Sequence, residues 1–288
     1  MIIGFLGKGG SGKSTTSAAF CDFVLSQNKK VLAIDADHNM DLLFNLKVQE
    51  KPNWLGDSMP DLLNFGGLSE KESNYRDFFD ISPKPVFKLS PIDKFTEKYT
   101  KLARKNLWVM AGGPHTNQVL HDKACSHVLT TPLKVILPFF HLNQDEFIVI
   151  DEKAGSDGAG TGVSSGLDLG VIVLDPSPHG VKAACQIADL LVFFGTPYCF
   201  IVNKVASEEV LERVKNMLPK SPIMTLPFND AVGWGSDESD SEADSSAKWN
   251  FSPVIEYADS LNILDDSGET YRYRRSHDRI VRNREFAA

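Results

Sequence analysis

Lys13 and Ser14 close the run Gly7-Lys8-Gly9-Gly10-Ser11-Gly12-Lys13-Ser14, which fits the spacing G-x-x-x-x-G-K-[ST]. Glycines at this density let successive backbone N–H groups turn toward one anion, and a helix starting here adds its positive N-terminal potential. In that geometry Lys13 reaches the β- and γ-phosphates of a nucleotide and the Ser14 hydroxyl ligates Mg2+. Thr15 and Thr16 would begin the supporting helix. Lys8 is a second cation inside the loop. A lysine supplied from a neighbouring chain would stabilise charge on a transferring phosphoryl group much as an arginine finger does. A solvent-facing lysine fits the same position.

Two acidic segments follow apolar runs further along the chain. One is Asp35-Ala36-Asp37-His38-Asn39-Met40-Asp41, and the other is Asp151-Glu152-Lys153-Ala154-Gly155. Carboxylates at strand tips beside a phosphate loop can hold Mg2+ through water or orient an attacking water. Asp37 and Asn39 are equally good helix caps. Residues 156–166, SDGAGTGVSSG, are too rich in glycine and serine to favour a helix, so they read as a mobile switch or as a plain linker.

The elements that must position these residues are legible from apolar patterning. Seven short apolar runs recur at residues 2–6, 31–35, 107–110, 147–151, 170–175, 199–203 and 223–227. Nearly unbroken hydrophobicity marks strands buried on both faces. Residues 14–30 and 180–195 carry apolar residues at helical spacing and read as crossovers. The expectation is a doubly wound α/β fold with a mostly parallel, seven-stranded sheet. Its ligand would lie beyond the carboxyl ends of the strands. Residues 1–235 form the expected nucleotide-binding domain, with 48–106 a helical and loop excursion. Residues 236–288 form an acidic flexible loop and a basic C-terminal tail. SDESDSEADSS (236–246) is of low complexity, and 271–286 is rich in arginine.

The second lysine in GKGGSGKS resembles the deviant Walker A loop of the family that includes ParA, MinD, the nitrogenase iron protein, arsenite-pump ATPases and CooC-type maturation factors of carbon monoxide dehydrogenase. That resemblance implies the P-loop NTPase fold, ATP and Mg2+ as cofactors, hydrolysis to ADP and phosphate, and a homodimer formed on ATP binding, with Lys8 reaching the partner's nucleotide. It places Asp37, the second acid of a D-x-D segment, at the attacking water, and Asp41 near the metal's water shell; Asp35 is a weaker candidate. Asp151 would support Mg2+ through water, and the Gly155 N–H would sense the γ-phosphate. Asn203 and Lys204 resemble the pair that meets the purine, and Pro227, Phe228 and Asn229 the segment flanking adenine. Ala206 stands where a guanine-selective aspartate would be, which favours ATP over GTP.

Within the family, VFKLSPIDKFTEKYTKL, LWVMAGG, FIVIDEKAG and VIVLDPSPHGVKAACQIADLL most resemble the CooC-type nickel-insertion ATPases, which implies a client metalloenzyme. Those proteins carry C-x-C where this sequence has Cys125-Ser126-His127. Cys125 and His127 from two chains could supply two thiolates and two imidazoles to Ni2+ or Zn2+. A lone cysteine is also a common small apolar side chain. A ParA/MinD-like positioning ATPase and an electron-donating, iron protein-like ATPase are the alternatives.

Composition narrows the field. The 288 residues carry a formal charge of −8, which disfavours a nucleic-acid surface spread over the whole molecule. No run of 18 apolar residues occurs, so no membrane association is expected. Four scattered cysteines without a secretory leader read as reduced thiols in the cytoplasm.

Overall fold

The computed structural model describes residues 1–115, 129–228, 249–264 and 270–287. The strands are β1 (Ile2–Leu6), β2 (Lys30–Asp35), β3 (Phe87–Lys88), β4 (Lys101–Arg104), β5 (Leu107–Ala111), β6 (Phe140–His141), β7 (Glu146–Asp151), β8 (Leu169–Leu174), β9 (Tyr198–Val205) and β10 (Met224–Pro227). Eight of them make the central sheet in the order β10-β9-β8-β1-β7-β2-β5-β4, and β3 pairs with β6 separately. All seven expected apolar runs are present as mutually parallel strands. The sheet has eight strands rather than seven because Lys101–Arg104 adds an antiparallel edge beside β5. That strand is exposed along its length and carries a cation at each end. Such an edge resists further pairing and leaves no apolar signature in the sequence.

Side chains alternate across the parallel strands and so build two cores. Ile2, Leu6, Leu32, Ile34, Ile148, Ile150, Ile172 and Phe200 face one layer. Ile3, Phe5, Val31, Ala33, Val149, Val171 and Ile201 face the other. The helix Lys13–Ser26 covers the second face through Ala18, Phe20 and Val24. The helix Pro178–Phe194 covers the first through Val181, Ala184, Ile187 and Leu191. Its start is set by Ser177, whose hydroxyl accepts from the Gly180 N–H.

Two segments differ from their sequence expectation. Ser156–Gly160 is a short helix despite its glycines. Packing overrides propensity there: Ala159 and Val163 are fully buried, and a Cβ on Gly158 would lie 2.2 Å from the Lys153 carbonyl. The C-terminal region is not only a solvated tail. Phe251 and Val254, at the start of the helix Ser252–Asp259, are fully buried. The helix Tyr271–Ala287 buries Arg272, Ser276, Arg279 and Ile280 against the body.

Candidate nucleotide site

Parallel register explains how residues far apart in sequence meet. β1 lies between β7 and β8, and β7 lies between β1 and β2. In that register Phe5 is opposite Asp151, and Asp151 is opposite Asp35. The loop after β1 and the carboxylates ending β2 and β7 therefore form one cluster at the carboxyl edge of the sheet, where a parallel sheet presents ligand sites.

The tip of the phosphate loop is open. Gly9 and Gly10 are exposed, and a Cβ on either would meet nothing within 4 Å. Gly12 has φ +88°, and a Cβ there would lie 2.2 Å from the Asn203 amide nitrogen, so only glycine fits. A Cβ on Gly7 would strike the Val173 carbonyl. The helix Lys13–Ser26 starts without any side-chain cap, leaving its first N–H groups facing the loop.

Lys13 is buried and donates to Asp151 Oδ1 at 2.6 Å. The other carboxylate oxygen of Asp151 is buried without a partner. Burial pushes the Asp151 carboxyl above its ordinary value, with Lys13 and Ser14 pulling it back. Asp35 is pushed up to about 7 by burial and by the Asp151 charge beside it. Glu152 is pushed up to about 8 by burial, and its Oε1 has no partner. Three buried carboxylates thus share one buried lysine. That excess of hard oxygen donors fits Mg2+, which Ser14 and Asp151 would hold. Among the described residues, no group of three or more His, Cys, Asp or Glu could hold a metal ion unaided.

The remaining expected residues fall around this centre. Asp37 accepts from the Ala154 N–H at 3.4 Å and lies 3.2 Å from His38 Nδ1, so it joins the segment after β2 to that after β7. Asp35 holds the same segment by accepting from the N–H groups of Asp37, Leu42 and Leu43. Asp41 is exposed at the start of the short helix Asp41–Asn45. The Gly155 N–H donates to the Gly7 carbonyl at 2.8 Å, tying the segment after β7 to the phosphate loop. Lys8 is exposed, and Thr15 is half-buried in the first turn of the helix.

Asn203 and Lys204 are engaged with the loop itself. The Asn203 amide donates to the Ser11 carbonyl at 2.9 Å, and Lys204 Nζ donates to the Gly10 carbonyl at 2.7 Å. Pro227 and Phe228 are exposed beside them, with the Phe228 N–H bonded to the Val205 carbonyl. Cys125, His127 and Asn229 lie outside the described residues.

Sequence reasoning missed Glu152, hidden inside a switch-like pattern, and the stacking of His38 on His115 at 4.4 Å next to Asp37. Glu152 directly follows the buried strand end FIVID, which is the one signal that it would be buried. No signal joined the two histidines.

The profile of the CobQ/CobB/MinD/ParA nucleotide binding domain matches residues 2–241. The chain belongs to this family. It is 26% identical over 237 residues to an ATP-binding protein of Methanocaldococcus jannaschii, covering 81% of this chain and 90% of that one. It is 25% identical over 240 residues to the carbon monoxide dehydrogenase accessory protein CooC of Rhodospirillum rubrum, covering 81% and 85%. By fold it is similar to the septum site-determining protein MinD of Pyrococcus horikoshii complexed with Mg-ADP: TM-score 0.51, 15% identity, covering 100% of this chain and 98% of that one. A putative plasmid partition protein of Borrelia burgdorferi bound to AMPPNP gives a TM-score of 0.52 at 14% identity, covering 98% of each. Among the described residues, no helix is long and apolar enough to cross a membrane.

Proposed function

We propose that this chain is an ATP-dependent, dimerising molecular switch that hydrolyses ATP to ADP and phosphate and serves the maturation of, or metal delivery to, a client metalloenzyme. The observation that carries the ATPase reading is Lys13 buried against Asp151 beneath the open glycine loop. Lys13 is then positioned to turn from Asp151 to the β- and γ-phosphates. Mg2+ supplies charge neutralisation at those phosphates when bound. Asp37 holds the attacking water, and the Gly155 N–H exchanges the Gly7 carbonyl for the γ-phosphate. Loss of that phosphate returns Gly155 to Gly7, which moves the segment after β7. Lys8, exposed at the loop tip, completes the partner's site. Pro227, Phe228 and Asn229 flank the adenine, and Asp41 contacts the metal's water shell.

The resemblance to CooC supports the maturation role, with the transferred Ni2+ or Zn2+ as cargo. Cys125 and His127 are the proposed cargo ligands. Two measurements test the reading. ATP should shift the chain from monomer to dimer in light scattering, and Asp37→Ala should keep that shift while abolishing phosphate release. Purified dimer should carry stoichiometric metal that Cys125→Ser loses; metal-free dimer would remove the cargo role and leave the switch.

A ParA/MinD-like positioning role is the second reading, favoured by the solved structures of similar fold. It needs cationic surface for DNA or lipid. Yet the basic C-terminal helix spends Arg272 on Asp168 and Arg275 on the carbonyls of Ser165 and Leu167. ATP-dependent, salt-sensitive binding to DNA or to anionic vesicles would favour it over maturation.

A further inference from the structure

Arg279, on the C-terminal helix Tyr271–Ala287, is buried, and its Nε and Nη2 have no hydrogen-bond partner. Its guanidinium lies against Gly162, where φ is +87° and a Cβ would sit 2.5 Å from Nη1. Other arginines of that helix are paired, Arg272 with Asp168 and Arg284 with Asp80. A buried donor left unsatisfied costs about 1–3 kcal/mol, and more when charged. Such an arrangement is stable only if something else offsets the cost.

Lys134 lines a groove with Gly160 and Thr161, next to Gly162, and shares the Tyr75 ring with a third cation, Arg76. Lys134 Nζ is 5.3 Å and the Arg76 guanidinium carbon 5.7 Å from the centre of the Tyr75 ring. Both side chains are half-buried. Lys134 is held below its ordinary pKa by burial first, then by the charges of Arg279 and Arg76. Among the described residues none of the three forms an ion pair with a carboxylate. Asp157 and Asp189 line the neighbouring groove with Lys134, and neither is paired with it. Three like charges without a carboxylate partner, one of them Arg279 with two buried, unused donors, fit the chemistry of an oxyanion.

We propose that Arg279, Lys134 and Arg76 form a second anion site, distinct from the phosphate loop, that takes a phosphate group, either free or as a phosphomonoester. Arg279 and Lys134 bind the oxygens directly, and Arg76 closes the site from the excursion between β2 and β5. The bound anion would clamp the C-terminal helix to Gly162, two residues beyond the helix Ser156–Gly160. It would thereby stiffen the segment that couples to the nucleotide.

The test measures the thermal unfolding midpoint against inorganic phosphate, and separately against O-phosphoserine, at constant ionic strength. Four forms of the full chain are compared: parent, Lys13→Gln, Lys134→Gln and the double variant. Lys13→Gln removes the phosphate loop as a competing site, so a saturable rise in that variant reports the second site. Lys134→Gln, half-exposed and outside the core, should weaken that response at least about tenfold and leave ATP affinity unchanged. A response to inorganic phosphate identifies free phosphate as the ligand. A response to O-phosphoserine alone identifies a phosphomonoester. No saturable response in Lys13→Gln, or one that is undiminished in the double variant, overturns the proposal. Failure of the ATPase reading would appear separately, as ATP affinity indifferent to Lys13→Gln.

Discussion

Two buried ion pairs among the described residues, Arg272–Asp168 and Lys13–Asp151, are built to opposite ends. Arg272 and Asp168 meet at 3.0 and 3.1 Å, and every remaining group around them is satisfied. Arg272 also donates to the carbonyls of Leu137 and Phe140, and Asp168 accepts from the Ile2 N–H. Lys13 and Asp151 meet at 2.6 Å, but Asp151 Oδ2 and the neighbouring Glu152 Oε1 are left bare. A buried pair offsets its desolvation only when its remaining lone pairs and protons are also bonded. The first pair therefore locks the C-terminal helix to the start of β8. The second is incomplete, as a site must be if a ligand is to finish it.

The largest expected effect tests the lock. Arg272→Leu strands Asp168 in the core and should cost about 3–5 kcal/mol of stability in urea unfolding, while the folded fraction binds ATP with unchanged affinity. A cost below about 1 kcal/mol would erase the distinction between the two pairs. Next, Lys13→Gln should weaken ATP about a hundredfold in calorimetry yet disturb stability far less than Arg272→Leu, since a charged hydrogen bond to phosphate is worth about 1.5–3 kcal/mol. Asn203→Ala frees the Ser11 carbonyl and should weaken ATP by roughly tenfold or less, through a loosened loop.

The last test concerns the bare Glu152, whose effect depends on pH. Its carboxyl is raised to about 8 from an ordinary 4.5, so the folded chain binds a proton that the unfolded chain has released between those values. Stability accordingly falls as pH rises through that window. Glu152→Gln should therefore stabilise the ligand-free chain markedly more at pH 9 than at pH 5. An equal gain at both values would show that Glu152 is not held protonated by burial.

The same contrast explains what could be read in advance. The phosphate loop declares itself because its function demands glycines at fixed spacing, and the parallel strands because burial on both faces demands unbroken apolar runs. Asp35, Asp37 and Asp151 were legible as strand-end acids. Their convergence follows from register, Asp35 opposite Asp151. The lock was not legible. Arg272 and Asp168 are 104 residues apart, and an arginine-rich stretch has the same composition whether it is solvated or folded inward. Nor did the exposed strand β4 or the glycine-rich helix Ser156–Gly160 carry a pattern, because tertiary packing rather than propensity forms them. Asn203 and Lys204 read as base contacts, whereas here their side chains brace the phosphate loop.

The claim on which the rest depends is that Lys13 waits on Asp151 for a nucleotide. Isothermal titration of Mg-ATP into the parent chain and Lys13→Gln tests it directly. The expected result is one saturable ATP per chain in the parent, weakened about a hundredfold in the variant. Equal affinity in the two, or no binding to the parent, would contradict it.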